Sequence, residues 1–206
     1  MKFGNSIKQG LKYSLVVLSI ILICFGCERV GTEGEKVYYY NLDSLMQSQQ
    51  SALLQRKCQL FKTVQMASDS SKDQSTPDSL KWANELSVFN EASINRPILQ
   101  GLYQSIQRND DQSNLTIKEF TPIDPTDIKV RYLRIYYLEE ESNVRKIEAE
   151  YIEENPIYTS NRQLNMTFED IQGHAMLSEY SIAGMQKMIL QDSVSFLVQG
   201  KIEYQP

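Results

Sequence analysis

The sequence predicts an α+β domain in which N-terminal helices pack on a curved antiparallel β-meander of about six to eight strands. Two observations carry that expectation. A helical apolar stripe, Trp82, Leu86 and Phe89, falls at i, i+4 and i+7 in the first half. From Leu115 onward the hydrophobic period changes to two, and alternating runs follow one another to the end of the chain.

The first residues carry Lys2, Lys8 and Lys12 with no acidic side chain, and an apolar run follows from Leu15 to Phe25, broken only by Ser19. That is a positive region and an apolar region of signal-peptide length, short of the about 20 residues a membrane span needs. Gly26 and Cys27 come next, then the charged Glu28 and Arg29. A small residue before cysteine at the end of such a run resembles the lipobox of bacterial lipoproteins, although Cys24 and Phe25 replace the usual leucine and small residue. The resemblance implies that residues 1–26 are a lipoprotein signal peptide and that Cys27 is the lipid-attachment site. The competing readings are an uncleaved anchor, ordinary secretion, or a Cys24-x-x-Cys27 redox pair. The last needs a folded βα setting to lower a thiol pKa, which an apolar leader does not supply.

The whole chain of 206 residues has 21 basic and 26 acidic side chains. Removing Lys2, Lys8 and Lys12 with a leader leaves 18 against 26, a net charge of −8. Such a chain gains no counterion-release affinity, so no nucleic acid is expected as a partner. Cys58 is then the only other thiol of the mature chain, and it reads as a small buried hydrophobe.

Residues 27–36 are polar and glycine-bearing, a tether, and 37–206 are long enough for a single domain. "VYYY" from Val37 reads as a brief extended piece. Asn41 suits an N-cap for a helix through "LDSLMQSQQSALLQRK", with Asp43 in the first turn. "CQLFKTVQM" alternates as a strand does, and "ASDSSKDQSTPD", with no apolar residue after Ala67, reads as an exposed loop. Pro77 and Asp78 open the second helix, which stops near Ile94 because Arg96 precedes Pro97. "ILQGLYQSIQ" reads as a further short helix or turn.

The alternating runs are "LTIKEF", "IKVRYLRIYYLEE", "NVRKIEAEYIEE", "RQLNMTFED", the two short pieces "AMLSEYSIAG" and "MQKMIL", and "VSFLVQGKIEY". The strand from Ile128 to Leu138 is apolar or aromatic on both faces under strict alternation: Val130, Tyr132 and Tyr136 on one, Leu133, Ile135 and Tyr137 on the other. Helices can cover only one face, so either an aromatic patch around Tyr136 or Tyr137 stays open or the sheet curls enough to bury both sides; the open patch is the reading that bears on binding. Tyr132, Tyr136 and Tyr137 are therefore the candidate binding residues. Trp82, the sole tryptophan, is expected where helix meets sheet.

No reactive constellation is legible. His174 is the only histidine and follows Gly173 in a turn, the nine glycines are scattered, and no nucleophile-elbow pattern occurs. The carboxylates Glu139 to Glu141, Glu148 and Glu150 lack the regular spacing of a calcium loop and read as a turn and a solvated sheet face. No enzyme activity, cofactor or metal is expected.

"KWANELSVFNEASINRPILQGLY" and "NPIYTSNRQL" resemble segments of a group of Bacteroidota outer-membrane lipoproteins that has no assigned biochemical function. The positions matched are Asn95, Arg96 and Pro97, then Tyr158, Ser160 and Arg162, which read as turn and packing residues. The resemblance brings no catalytic residue. The lipobox implies a lipid anchor; Glu28 rather than aspartate after Cys27 favours outer-membrane sorting, and the absence of an acidic run directly behind the cysteine argues for the periplasmic face. The anchored topology and the absence of a reactive constellation then point to a non-enzymatic binding or interaction module. Its partners are then the membrane, through N-terminal acyl chains, and an envelope protein or lipid. The alternative is a carrier-like protein holding acyl chains in an apolar cavity of the sheet.

Overall fold

A computed structural model describes residues 38–204. The leader, Cys27 and the tether lie outside the described residues. The chain divides into Met1–Lys36 and Val37–Pro206, and among the described residues the hydrophobic core runs from Leu42 to Ile202. The second unit thus carries a hydrophobic core of its own.

Two α-helices and nine strands make it up: α1 (Leu42–Gln55), β1 (Gln59–Met66), β2 (Asp69–Ser75), α2 (Ser79–Leu86), β3 (Tyr103–Asn109), β4 (Thr116–Pro122), β5 (Val130–Tyr137), β6 (Val144–Glu154), β7 (Tyr158–Ile171), β8 (His174–Met188) and β9 (Val194–Glu203). The expected six to eight strands become nine, in one antiparallel sheet of order β2-β1-β9-β8-β7-β6-β5-β4-β3. The sheet dominates, and the first half is not purely helical. "DSSKDQS" is strand β2, because Asp69–Ser75 pairs along its length with Leu60–Met66 across a turn in which Ala67 takes a positive φ of 51°. A wholly polar strand is legible only from its partner, and a polar strand suits an exposed edge. "YQSIQRN" is likewise strand β3, the other edge, entered through Gly101 at φ 78°. β8 is one strand where the two short runs suggested a break.

The helices form where the capping residues place them. The Asn41 side chain accepts from the Ser44 amide at 3.0 Å, and Asp78 accepts from the Lys81 amide at 2.8 Å. After α2 the chain tightens into a 3₁₀ segment, Ser87–Ala92, and Arg96 before Pro97 is extended at φ −123°, ψ 141°. Leu42, Met46 and Leu53 of α1, then Trp82, Leu86, Phe89 and Ile94, fill one face of the sheet against Leu133, Ile147, Leu164, Leu177 and Tyr180. Trp82 and Phe89 are 0% exposed, as expected of the apolar stripe. Cys58 is a buried free thiol, also as expected.

Strict alternation fails at three places, and one device explains all three. Register shifts fall between Val130 and Tyr132, between Tyr136 and Tyr137, and between Thr167 and Phe168. The extra residue is Arg131 in β5, Arg145 in β6 and Ser178 in β8. Each bulge holds two apolar residues three apart on the same face: Val130 with Leu133, Val144 with Ile147, Leu177 with Tyr180. The puzzle of a strand apolar on both sides is thereby resolved. Val130 belongs with Leu133, Ile135 and Tyr137 on the helix-covered face, while Tyr132, Arg134 and Tyr136 share the other.

Candidate functional site

The face opposite the helices is polar, and its residues form a row through all nine strands. In register these are Ile106, Glu119, Arg134, Glu148, Asn165, Ser181, Gln199, Thr63 and Lys72. Directly opposed side chains of an antiparallel pair are close enough to interact. Charges of opposite sign therefore meet at the β4–β5–β6 end of the row, and amides and hydroxyls meet at the other.

Arg134 is the centre of the charged part. Its Nη2 donates to Glu119 Oε1 at 2.9 Å, and Nη1 stands 3.8 Å from Glu148 Oε2. Its guanidinium carbon lies 4.2 Å from the centre of the Tyr132 ring, and its Nε is buried with no hydrogen-bond partner. Glu148 also takes Lys146 at 2.6 Å and the Tyr136 hydroxyl at 2.7 Å. Tyr132 donates its hydroxyl to Gln163 at 2.6 Å, and Gln163 and Asn161 both donate to Glu150. Every side chain of the cluster is thus held from at least two sides.

The electrostatics follow from this packing. Burial, reinforced by the hydrogen bond to Glu148, pushes the Tyr136 hydroxyl up to about 12. Burial also raises Tyr132, against the Arg134 charge. Burial of Glu148 works against its charge, but hydrogen bonds from Lys146 and Tyr136 outweigh it, so its carboxyl sits below its ordinary value. The cluster is a preorganised donor and acceptor surface around two flat aromatic rings.

Beside it, over β1, β7, β8 and β9, an open groove of about 360 Å³ is lined by Thr63, Asn165, Thr167, Ser181, Gln199 and Lys201. The groove continues the same row and carries amides and hydroxyls that can exchange hydrogen bonds with a polar ligand.

The three candidate tyrosines do not sit together. Tyr132 and Tyr136 share the open face, but Tyr137 is 4% exposed and packs in the core. Its removal from the site follows from strand parity, since neighbours in a strand point to opposite faces. Cys27 lies outside the described residues. Sequence reasoning missed Arg134, Glu119 and Gln163, and it read Glu148 as merely solvated. The signal present in the chain was the facing of Tyr-x-Arg-x-Tyr in β5 against Lys-x-Glu-x-Glu in β6, which only a known register makes visible. His174 is exposed beside the β7–β8 turn, as expected. Among the described residues no three His, Cys, Asp or Glu side chains converge as metal ligands, and no helix is long and apolar enough to cross a membrane.

The residues shared with the lipoprotein-like segments have packing roles. Asn95 Oδ1 accepts from the Tyr38 and Tyr39 amides, tying the start of the described chain to the turn before Pro97. Arg162 pairs with Glu91 at 2.5 Å, joining β7 to the 3₁₀ segment, and Ser160 is fully buried. No protein-family model matches the chain, and no curated protein matches it.

Proposed function

We propose that the protein is a lipid-anchored envelope protein that works as a non-enzymatic binding module, with the open sheet face around Tyr132, Arg134 and Tyr136 as its recognition surface. One observation carries this reading: a polar face spanning nine strands is left without a helix, and at its charged end the side chains are already locked into binding geometry. Preorganisation lowers the ordering cost of association. The partner is a hydrophilic surface of an envelope protein, presenting a carboxylate or carbonyl to the solvent-facing part of the Arg134 side chain and flat groups to the two rings. The lipobox-like Cys27 and the resemblance to outer-membrane lipoproteins support anchoring at the outer membrane.

The acyl-carrier alternative finds less support. The space between helices and sheet is filled by Trp82, Phe89, Leu42, Leu53 and Ile94. A cavity of about 400 Å³ sits at the rim between the 3₁₀ segments and the start of β5. Ile98, Leu99, Ile128, Val130 and Tyr151 form much of its wall, but Glu91, Arg96, Asp127 and Lys129 interrupt that wall with charge. An acyl chain wants an apolar wall.

The test is comparative capture from detergent-solubilised outer membranes with the wild type, Tyr132→Glu and Arg134→Met. A protein retained by the wild type and lost by both variants, at unchanged melting temperature, is the expected result. Capture indifferent to both substitutions overturns the assignment. Intact-mass measurement of the wild type and of Cys27→Ser tests the anchor separately, since only the wild type should carry acyl chains.

A further inference from the structure

In an antiparallel meander alternate turns share an end, so the β4–β5, β6–β7 and β8–β9 turns lie together. The β1–β2 turn joins them through the pairing of Met66 with Phe196. Exposed large hydrophobic side chains are not spread over the molecule. Among the described residues, ten of the thirteen fall at this end, with Leu54 and Leu80 at the opposite one and Ile106 on an edge strand. Isolated exposed apolar residues need no explanation, but a contiguous group does.

The densest part is the β8–β9 tip. Met188, Ile189, Leu190 and Val194 belong to it, and Ile157 of the adjacent turn is joined to it by the Ile189 amide donating to the Ile157 carbonyl at 2.8 Å. Leu190 is 99% exposed and Ile157 and Ile189 are each 62% exposed. The loop of this hairpin, residues 189–193, reads Ile-Leu-Gln-Asp-Ser; Gln191, Asp192 and Ser193 suit a solvated turn, while Ile189 and Leu190 ahead of them depart from what such a turn favours.

The chain enters the domain at this same end. Tyr39 donates its hydroxyl to the Leu99 carbonyl and accepts from the Tyr103 amide, where β3 begins opposite Pro122. Ten residues lie between Cys27 and Tyr38, and that stretch fully extended reaches about 40 Å. The whole chain carries a net charge of −5, so it has no general electrostatic attraction to anionic headgroups, and the apolar side chains are the feature of this end that suits a bilayer.

We infer that the β8–β9 tip, with Ile157 beside it, is a second membrane contact that dips its apolar side chains into the lipid bilayer surface. The polar sheet face then stands across the membrane plane rather than flat against it. The inference rests on the lipid-anchored reading for its biological setting. The tip residues project from the end of the sheet at which the chain enters, so a tethered domain meets the bilayer with Ile189 and Leu190. Two modest interactions, lipid and tip, act at high effective concentration once either is made.

The test uses the unit Val37–Pro206, which has a hydrophobic core of its own, carrying an N-terminal hexahistidine bound to nickel-chelating lipid in phosphatidylethanolamine–phosphatidylglycerol vesicles. The attachment therefore does not depend on Cys27. Leu190→Trp is compared with Ser113→Trp, in the β3–β4 turn at the far end, using lipids brominated along the acyl chain. Trp82, fully buried, supplies the unquenched baseline. Expected is quenching in Leu190→Trp several-fold greater than in Ser113→Trp, falling to the Ser113→Trp level when Ile189→Asp is added. Equal quenching at both sites, or quenching indifferent to Ile189→Asp, overturns the inference. So does a dimer in sedimentation that Ile189→Asp splits, which would assign the tip to a second copy of the chain. Quenching at the tip of the tethered unit, with no acyl chains on Cys27 of the full protein, would sink the anchor reading and leave the tip contact standing. Acylation without quenching does the reverse.

Discussion

The two faces of the sheet are built from the same nine strands and obey different physics. On the helix-covered face, stability comes from the removal of large apolar side chains from water, and its polar groups are few and buried. On the open face few apolar side chains are hidden, Ile117 and Met176 among them. The side chains are instead fixed by ion pairs and hydrogen bonds that solvent can reach, which contribute little net stability but define geometry. On the proposed reading, fold and recognition are carried by separate sets of residues, so substitutions should damage one without the other.

The sharpest break is at Trp82. Trp82→Ala empties the space between α2 and the sheet and should cost roughly 3–5 kcal/mol in urea unfolding, with the open face otherwise intact. Trp82→Phe should cost markedly less, because it also removes an indole N–H that is buried without a partner. Native tryptophan emission at the wavelength of free indole would contradict the burial.

The pH dependence separates the faces next. On the covered side burial, aided by a hydrogen bond to Glu85, pushes the Tyr180 hydroxyl far up; burial first, with Tyr39 beside it, raises Tyr103, and burial first, with Cys58 and Glu169 nearby, raises Tyr204. Their folded values exceed the unfolded value of about 10, so their contribution is complete below pH 10. It is lost as pH rises, because the unfolded chain releases protons that the folded state holds. On the open side Glu148 is depressed, so its contribution is present above its unfolded value and is lost as pH falls. Urea midpoints across pH should fall at both ends. Tyr180→Phe should flatten the alkaline limb and Glu148→Gln the acid limb. An alkaline limb unchanged by Tyr180→Phe would refute this division.

The smallest effect on stability belongs to Arg134. Its guanidinium is 30% exposed, and partly solvated ion pairs contribute about 1 kcal/mol or less. Arg134→Met should therefore shift the urea midpoint little while removing partner capture. A loss comparable to Trp82→Ala would mean that the cluster is part of the core, and the separation of the faces would collapse.

How much of this was legible in the chain depends on where the information sits. The stripe Trp82, Leu86, Phe89 and the caps Asn41 and Asp78 are local, and the helices follow from them. The alternating runs from Leu115 onward are local too, and they yield six of the nine strands. β2 is not, because Asp69–Ser75 has no apolar residue and is a strand only by virtue of β1. The bulges at Arg131, Arg145 and Ser178 leave a faint trace, apolar residues three apart within a strand. Strict alternation misreads that trace as two apolar faces. The open-face cluster depends on register between strands, and single-chain periodicity does not contain it. Tyr132 and Tyr136 were visible as aromatics, but Arg134 acquires meaning only between Glu119 and Glu148.

The position of β9 has a temporal consequence. It lies between β1 and β8, so the earliest hairpin and the seven-strand meander meet only through the last strand. Until residues 194–203 have emerged, β1 and β2 have no neighbour but each other, and an isolated hairpin is marginal at best. The contacts that close the sheet span most of the chain, which makes closure slow. Whether delivered by a ribosome or through a translocation channel, the chain therefore waits for β9 before α1 gains a complete floor, and a truncation that removes β9 leaves β1 and β8 as additional exposed edges.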